Sequence, residues 1–364
     1  MIWYHQIIMR FYVYPAIFRE GVRGLFSNDI GIDLGTATTL IYVAGKGIVL
    51  KEPSIVAMDA RTNKVMAVGQ SAYEMLGKTS DLIRVVRPLE EGVISDYEVT
   101  EEMLKYFFKK VSPSRFFKPR VCVCVPSAIT EVESRAVIDT VISSGARNVF
   151  LIEEPVAAAI GAGVDITVPG GVAILDIGGG TSDIAVLSLN GIVCKTSLKM
   201  AGNTFNQAII KYIRSSYNVL IGDNTADRIK RDIATVWGDD ATSEEYEVKG
   251  RNLVTGLPQR IAITNQELMD PLAAEVEHII AALQSVLERT PPELVADIEQ
   301  NGLIMTGGGS MLGGMDKLIS SRIRIQARLA ENPVEAVAIG TGLSFDYLGK
   351  LYDGFVTYTN YSSK

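Results

Sequence analysis

The chain has 364 residues, 47% of them hydrophobic and 21% charged, with a formal net charge of -7. That length carries two domains with a core each, and that balance belongs to a globular chain. The acidic balance argues against nucleic-acid partners, which need a basic face, and only two histidines, His5 and His278, make a His-based metal site or a Ser-His-Asp triad improbable.

Residues 1–18 are aromatic and apolar but broken by His5, Arg10 and Pro15. The run is short for a membrane span and lacks a small-residue cleavage site. Two readings stay open: an interfacial segment, where Trp and Tyr are favoured, or sequence upstream of the true start. Strands are expected near 30–34, 39–43 and 48–50, with a hairpin over 54–58 and 64–68 turning at Thr62-Asn63. A helix is expected over 99–111, with Thr100 as its N-cap. The loop Ser112-Pro113-Ser114-Arg115-Phe116-Phe117-Lys118-Pro119 puts two aromatics between two cations. Cys122 and Cys124 alternate with Val121, Val123 and Val125, so a strand there buries both on one face. Three cysteines suit a reducing compartment.

Thr130-Glu131-Val132-Glu133 reads as a capping box. A strand over 148–152 leads through Glu153-Glu154-Pro155 into a helix over 156–162. Strands over 184–189 and 192–198 flank Asn190-Gly191, a hairpin signal. Helices are expected over 203–221, 225–236 and 266–289, a strand pair within 246–263, a strand over 302–306, and a last helix over 335–347. Strands alternating with helices imply sheets covered by helices, with ligands beyond the strand carboxyl ends.

The most informative pattern occurs twice. Ile30-Gly31-Ile32-Asp33-Leu34-Gly35-Thr36-Ala37-Thr38 and Ile174-Leu175-Asp176-Ile177-Gly178-Gly179-Gly180-Thr181 each run strand, Asp, Gly/Thr turn, strand. Glycine turns bring backbone N–H groups close to phosphate oxygens. An Asp at the strand end suits a hydrated divalent cation. One such turn alone is as often a plain hairpin as a phosphate cradle. Two facing turns predict a two-lobed polyphosphate clamp. The order of glycines does not match a Rossmann fingerprint.

These motifs resemble the superfamily of actin, heat-shock chaperone and sugar-kinase ATPases, and within it the MreB/Mbl family of bacterial actins, over about residues 25–351. The segments Thr306-Gly307-Gly308-Gly309-Ser310 and Ala338-Ile339-Gly340-Thr341-Gly342 resemble its adenosine and closing motifs. The resemblance implies an α/β actin-like ATPase fold: two duplicated, ribonuclease-H-like lobes around a nucleotide cleft. It implies an extension over 1–24 and lobe I over 25–168 with a small insertion at about 55–90. Lobe II then covers 169–350 with an insertion at about 204–264, and 351–364 form a tail. Translation beginning near Val22 or Leu25 fits the same alignment. By resemblance, Glu154 orients the attacking water and Thr181 assists beside the γ-phosphate. Gly35, Thr36, Ala37, Thr38, Gly178, Gly179, Gly180, Gly307, Gly308, Gly309 and Ser310 line the nucleotide. Asp33 and Asp176 hold Mg²⁺ through water, and Asp227 and Lys230 fall where the family contacts ribose and adenine. Asp223-Asn224-Thr225-Ala226-Asp227 departs from the usual Glu-Arg-Thr-Ala-Glu. Phe116 and Phe117 match a membrane-insertion loop.

The function implied is an ATP-dependent, membrane-associated filament that organises cell-wall synthesis and maintains rod shape. Its cofactors are ATP/ADP and Mg²⁺. Its partners are itself, as double protofilaments, the inner face of the cytoplasmic membrane and the wall-elongation machinery. The protein is expected in the cytoplasm, peripheral on that membrane. The alternatives are a metabolite kinase, for which no substrate base stands out, and a plasmid-segregating actin.

Overall fold

The computed structural model describes residues 29–111, 118–240, 244–348, 351 and the backbone of 355–358. The residues 1–24, the loop residues Phe116 and Phe117, and most of the tail over 351–364 lie outside this description.

Lobe I begins with a meander of β1 (Asp29–Leu34), β2 (Thr38–Val43) and β3 (Gly47–Pro53). A small sheet follows: β4 (Val56–Asp59), β5 (Val65–Val68), a one-turn helix α1 (Gln70–Tyr73) and β6 (Ile83–Val86). The chain returns through the tight hairpin β7 (Leu89–Glu90) and β8 (Val93–Ile94) to helix α2 (Tyr97–Val111). Helix α2 starts three residues before Thr100. Asp96 caps it, its Oδ1 accepting from the Val99 N–H at 3.1 Å, while Thr100 turns its hydroxyl back to the Asp96 carbonyl. Strand β9 (Arg120–Val125), helix α3 (Glu131–Ser143), strand β10 (Asn148–Glu153) and helix α4 (Glu154–Gly161) complete the lobe. The Thr130–Glu133 capping box is present.

Lobe II repeats the plan with β11 (Val172–Ile177), β12 (Ser182–Ser188) and β13 (Gly191–Leu198). Its insertion holds α5 (Gly202–Tyr217), β14 (Val219–Leu220), α6 (Asp223–Asp232), β15 (Tyr246–Asn252) and β16 (Pro258–Ile263). Helix α5 stops four residues short of the expected 221, because Asn218 turns left-handed and the next two residues pair with β15. Helix α6 ends at Asp232 rather than 236, since Thr235 and Val236 extend to bond Gly313. Then come α7 (Asn265–Arg289), α8 (Pro292–Asn301), β17 (Leu303–Thr306), α9 (Met315–Ile323), β18 (Ala327–Leu329) and α10 (Ala336–Leu343). The expected 335–347 helix therefore gives way to a 3-10 turn over Ser344–Tyr347. Strand β19 (Phe355–Tyr358) adds to the lobe I sheet beside β10.

The two large sheets have one topology. Lobe I runs β3-β2-β1-β9-β10 and lobe II runs β13-β12-β11-β17-β18. In each, a three-stranded antiparallel meander is extended by two parallel strands beside its first strand. Each sheet buries one face in its own lobe core. The opposite faces meet in a third apolar cluster, between the lobes, containing Cys122, Cys124, Phe150, Ile152, Ile174, Ala185, Leu187 and Ile304 with residues of α4. The β9 alternation is realised, with valines in the lobe I core and both cysteines in this central cluster.

The helices α4 and α10 follow equivalent strands, β10 and β18, and cross in that centre. A Cβ on Gly161 would collide with the Ala336 carbonyl, and one on Gly340 with the Ala157 carbonyl. Their backbones touch, which only glycine at the crossing permits.

Candidate active site

Strand alternation aims the carboxylates. Ile30, Ile32 and Leu34 of β1 enter the lobe I core, so Asp33 takes the opposite face, toward lobe II. Ala173, Leu175 and Ile177 of β11 enter the lobe II core, leaving Asp176 on the face of Ile174. Asp183 pairs across from Asp176 and shares its face with Ala185 and Leu187. Glu154 opens α4 just past β10, followed by Pro155, which suits a first helical turn.

Four carboxyl groups thus converge at the strand ends, and burial makes their charges costly. Burial raises Asp33 to about 6, opposed by the Cys124 thiol donating at 3.4 Å. Burial lifts Asp176 to about 7; the Thr306 hydroxyl, donating at 2.5 Å, opposes this, while Asp33 and Asp183 add repulsion. Glu154 lies well above the usual carboxylate range, through burial first and then the charges of Asp183, Asp176 and Asp33. Asp183 is raised by burial and restrained by the Ser127 N–H, which donates to its Oδ1 at 2.8 Å, and by the neighbouring Ser197, Glu154 and Thr181 side chains. Such a cluster attracts a cation. Among the described residues no three His, Cys, Asp or Glu side chains are placed to cage a metal directly.

The two glycine turns lie against each other above this floor. A Cβ on Gly179 would stand 2.8 Å from the Ala37 Cβ, and one on Gly180 2.6 Å from the Thr36 hydroxyl oxygen. Ser54 fixes the first turn by donating to the Gly35 carbonyl at 2.6 Å. The second turn is closed by the Gly178 N–H donating to the Thr181 carbonyl at 2.9 Å. It is tied to α5 by the Gly202 and Asn203 N–H groups, which donate to the Gly178 and Gly179 carbonyls. Thr38 begins β2 just past the first turn.

The third glycine segment abuts the second. Gly307 has φ 82°, and a Cβ there would strike the Ile177 carbonyl. Gly309 lies against Ile177 and Gly178, Gly308 faces open space, and Ser310 is buried, donating to the Thr306 carbonyl at 2.5 Å. On α6, Lys230 Nζ donates to the Gly202 carbonyl at 2.9 Å and pairs with Asp227 at 3.1 Å. Burial lowers the Lys230 pKa, with Asp227 opposing. The structure therefore gathers the first turn, the second turn, Glu154, Thr181, the 307–310 segment, Asp227 and Lys230 around one cleft. Sequence reasoning gave no role to Asp183 or Ser127, and took Thr306 only as the start of the adenosine-like motif. The parity of Asp183 with Ala185 and Leu187 along β12 was the available signal.

The family model described as MreB/Mbl protein matches residues 27–352. The cell shape-determining protein Mbl of Bacillus subtilis is 49% identical over 328 residues, covering 90% of this chain and 98% of Mbl. The chain belongs to the MreB/Mbl family. Spiroplasma citri MreB 5, solved bound to AMPPNP, superposes with a TM-score of 0.84 at 38% identity, covering 89% of this chain and 98% of that one. A chain of the MamK double helical filament shares the fold with a TM-score of 0.74 at 20% identity, covering 87% and 98%. The fold is thus the actin-like one, and this family is one of actin-like ATPases.

Proposed function

We propose that this protein is an ATP-hydrolysing subunit of an actin-like filament that determines cell shape. The observation that carries this reading is the pair of phosphate turns in contact over a buried carboxylate floor. The names of its relatives and the AMPPNP in the Spiroplasma citri neighbour support it. The backbone N–H groups of the two turns bind the phosphates, and Lys230 adds positive charge behind the second turn. Asp227 and the 307–310 segment receive the nucleoside.

Hydrolysis needs a water held in line with the bond that breaks, and fixed dipoles that stabilise the charge that develops. Glu154 is the group that orients the water, with Thr181 beside it. The donor set, all hard carboxylate oxygen without a direct cage, suits Mg²⁺ held through waters by Asp33 and Asp176. Bound there with the phosphates, Mg²⁺ supplies positive charge to the transition state. Burial first, and then the charges of Asp183, Asp176 and Asp33, favour the protonated form of Glu154.

Self-assembly, contact with the inner face of the cytoplasmic membrane through Phe116 and Phe117, and work with the wall-elongation machinery complete the proposal. Among the described residues no helix is long and apolar enough to cross a membrane. The deciding experiment is Glu154→Gln. Phosphate release should fall at least ~100-fold, the range of a lost positioned acid–base group, while ATP binding stays within threefold. Turnover within threefold of wild type would remove Glu154 from the reaction.

A further inference from the structure

Leu89 and Ile94 anchor the β7–β8 hairpin in the lobe I core. Its two-residue turn, Glu91-Gly92, leaves that core and reaches the cleft. Both residues have positive φ, 50° and 79°. For a glutamate this is an uncommon conformation, held only where surroundings fix it. The surroundings are the two phosphate turns. The Gly92 N–H donates to the Thr36 hydroxyl of the first turn at 2.9 Å. A Cβ on Gly92 would stand 2.6 Å from Pro126 Cγ and 3.0 Å from the Thr181 methyl. A Cβ on Gly180 would stand 3.1 Å from the Glu91 Cα. Beyond these contacts, the Glu91 carboxylate pairs with Lys199 of lobe II at 2.8 Å. Lys199 also feels Glu133 of lobe I. It lies just past β13, the strand whose Lys195 pairs with Glu153 of lobe I at 2.6 Å.

We propose that the Glu91-Gly92 turn is a positioning element for ATP hydrolysis, fixing Thr181 against Thr36 and held across the cleft by the Glu91–Lys199 ion pair. It rests on the hydrolysis reading above. The backbone of the turn touches both phosphate loops where they meet, and the ion pair is the part of it whose charge can be reversed without touching the loops. The pair is exposed on both sides, so its strength falls with salt.

Three variants test this in the full chain: Glu91→Lys, Lys199→Glu and the double exchange. Two measurements are made on each, steady-state phosphate release and the dissociation rate of a fluorescent non-hydrolysable ATP analogue. Each single variant should lower kcat at least fivefold, leave KM for ATP within threefold, and speed analogue release. The double exchange should return both to within twofold of wild type, and thermal melting should show all three folded. Gly92→Ala, which crowds Thr181 and Pro126, should lower kcat with no rescue by any change at Lys199. Single variants with wild-type kcat and release, or a double variant no better than the singles, would overturn the proposal. If Glu154→Gln retains turnover, the hydrolysis reading fails, and analogue release alone then decides whether the ion pair spans the cleft.

Discussion

Asp176→Asn isolates the energetic cost of the cleft floor. Asp176 is 4% exposed, and its carboxyl is raised from 3.8 to about 7, chiefly by burial. Asparagine keeps the oxygen that accepts from Thr306 and deletes the charge. A group whose pKa is raised on folding leaves the folded chain holding the extra proton between the two values, so stability falls as pH climbs through that window. Without nucleotide or Mg²⁺, the ionised carboxylate therefore costs the fold its full penalty above about pH 7, corresponding to about 4 kcal/mol. Asp33 and Asp183 share the repulsion, so one replacement should recover about 2–4 kcal/mol at pH 8. That is a rise of about 3–6 °C in melting temperature for a chain of this size. At pH 5 the gain should shrink to less than half, because wild-type Asp176 is then protonated in the fold. The assay is thermal unfolding in EDTA at the two pH values, then with Mg-ATP at pH 8, where wild type should gain more than the variant. A variant no more stable than wild type at pH 8, or equally favoured at both pH values, would refute the reasoning.

Gly340→Ala should destabilise the protein by at least about 1–3 kcal/mol, the cost of overpacking, although alanine ordinarily favours a helix over glycine by about 1 kcal/mol. The new methyl has the Ala157 carbonyl in its place, and a melt equal to wild type would contradict the backbone contact. Replacing Phe116 and Phe117 together by Ser should abolish pelleting with anionic liposomes while leaving ATP-dependent filaments visible by electron microscopy. Undiminished lipid binding would remove the loop from the membrane.

Where structure is local, the sequence was readable. The β9 alternation sorted valines from cysteines into two cores, and the Thr130 capping box stands as expected. Readings failed where a partner from elsewhere ends an element. Helix propensity continues past Tyr217, but β15 needs the next two residues for its own edge. The Asn190-Gly191 signal marked the right hairpin with the wrong pair. Ser188 pairs with Gly191, so Leu189 and Asn190 occupy the turn with φ 49° and 62°, after a bulge at Val186/Leu187 shifts the register. In the site, both phosphate turns were visible because glycine and aspartate carry the chemistry locally. Asp183 was not, because its role arises only when strand pairing sets it opposite Asp176 and folding brings Glu154 beside it. The Glu91-Gly92 turn had no motif at all; it matters through what lies across the cleft.

The crossing of α4 and α10 has a mechanical consequence. Interdigitated side chains act as gear teeth, and one helix slides past another only by repacking them between discrete seats. At Gly161 and Gly340 there are no teeth, since backbone lies on backbone. Such a joint resists translation through steric contact on both sides yet offers little friction to twist. In the filament proposed above, twist about this joint would be the motion that leaves both lobe cores packed as they are.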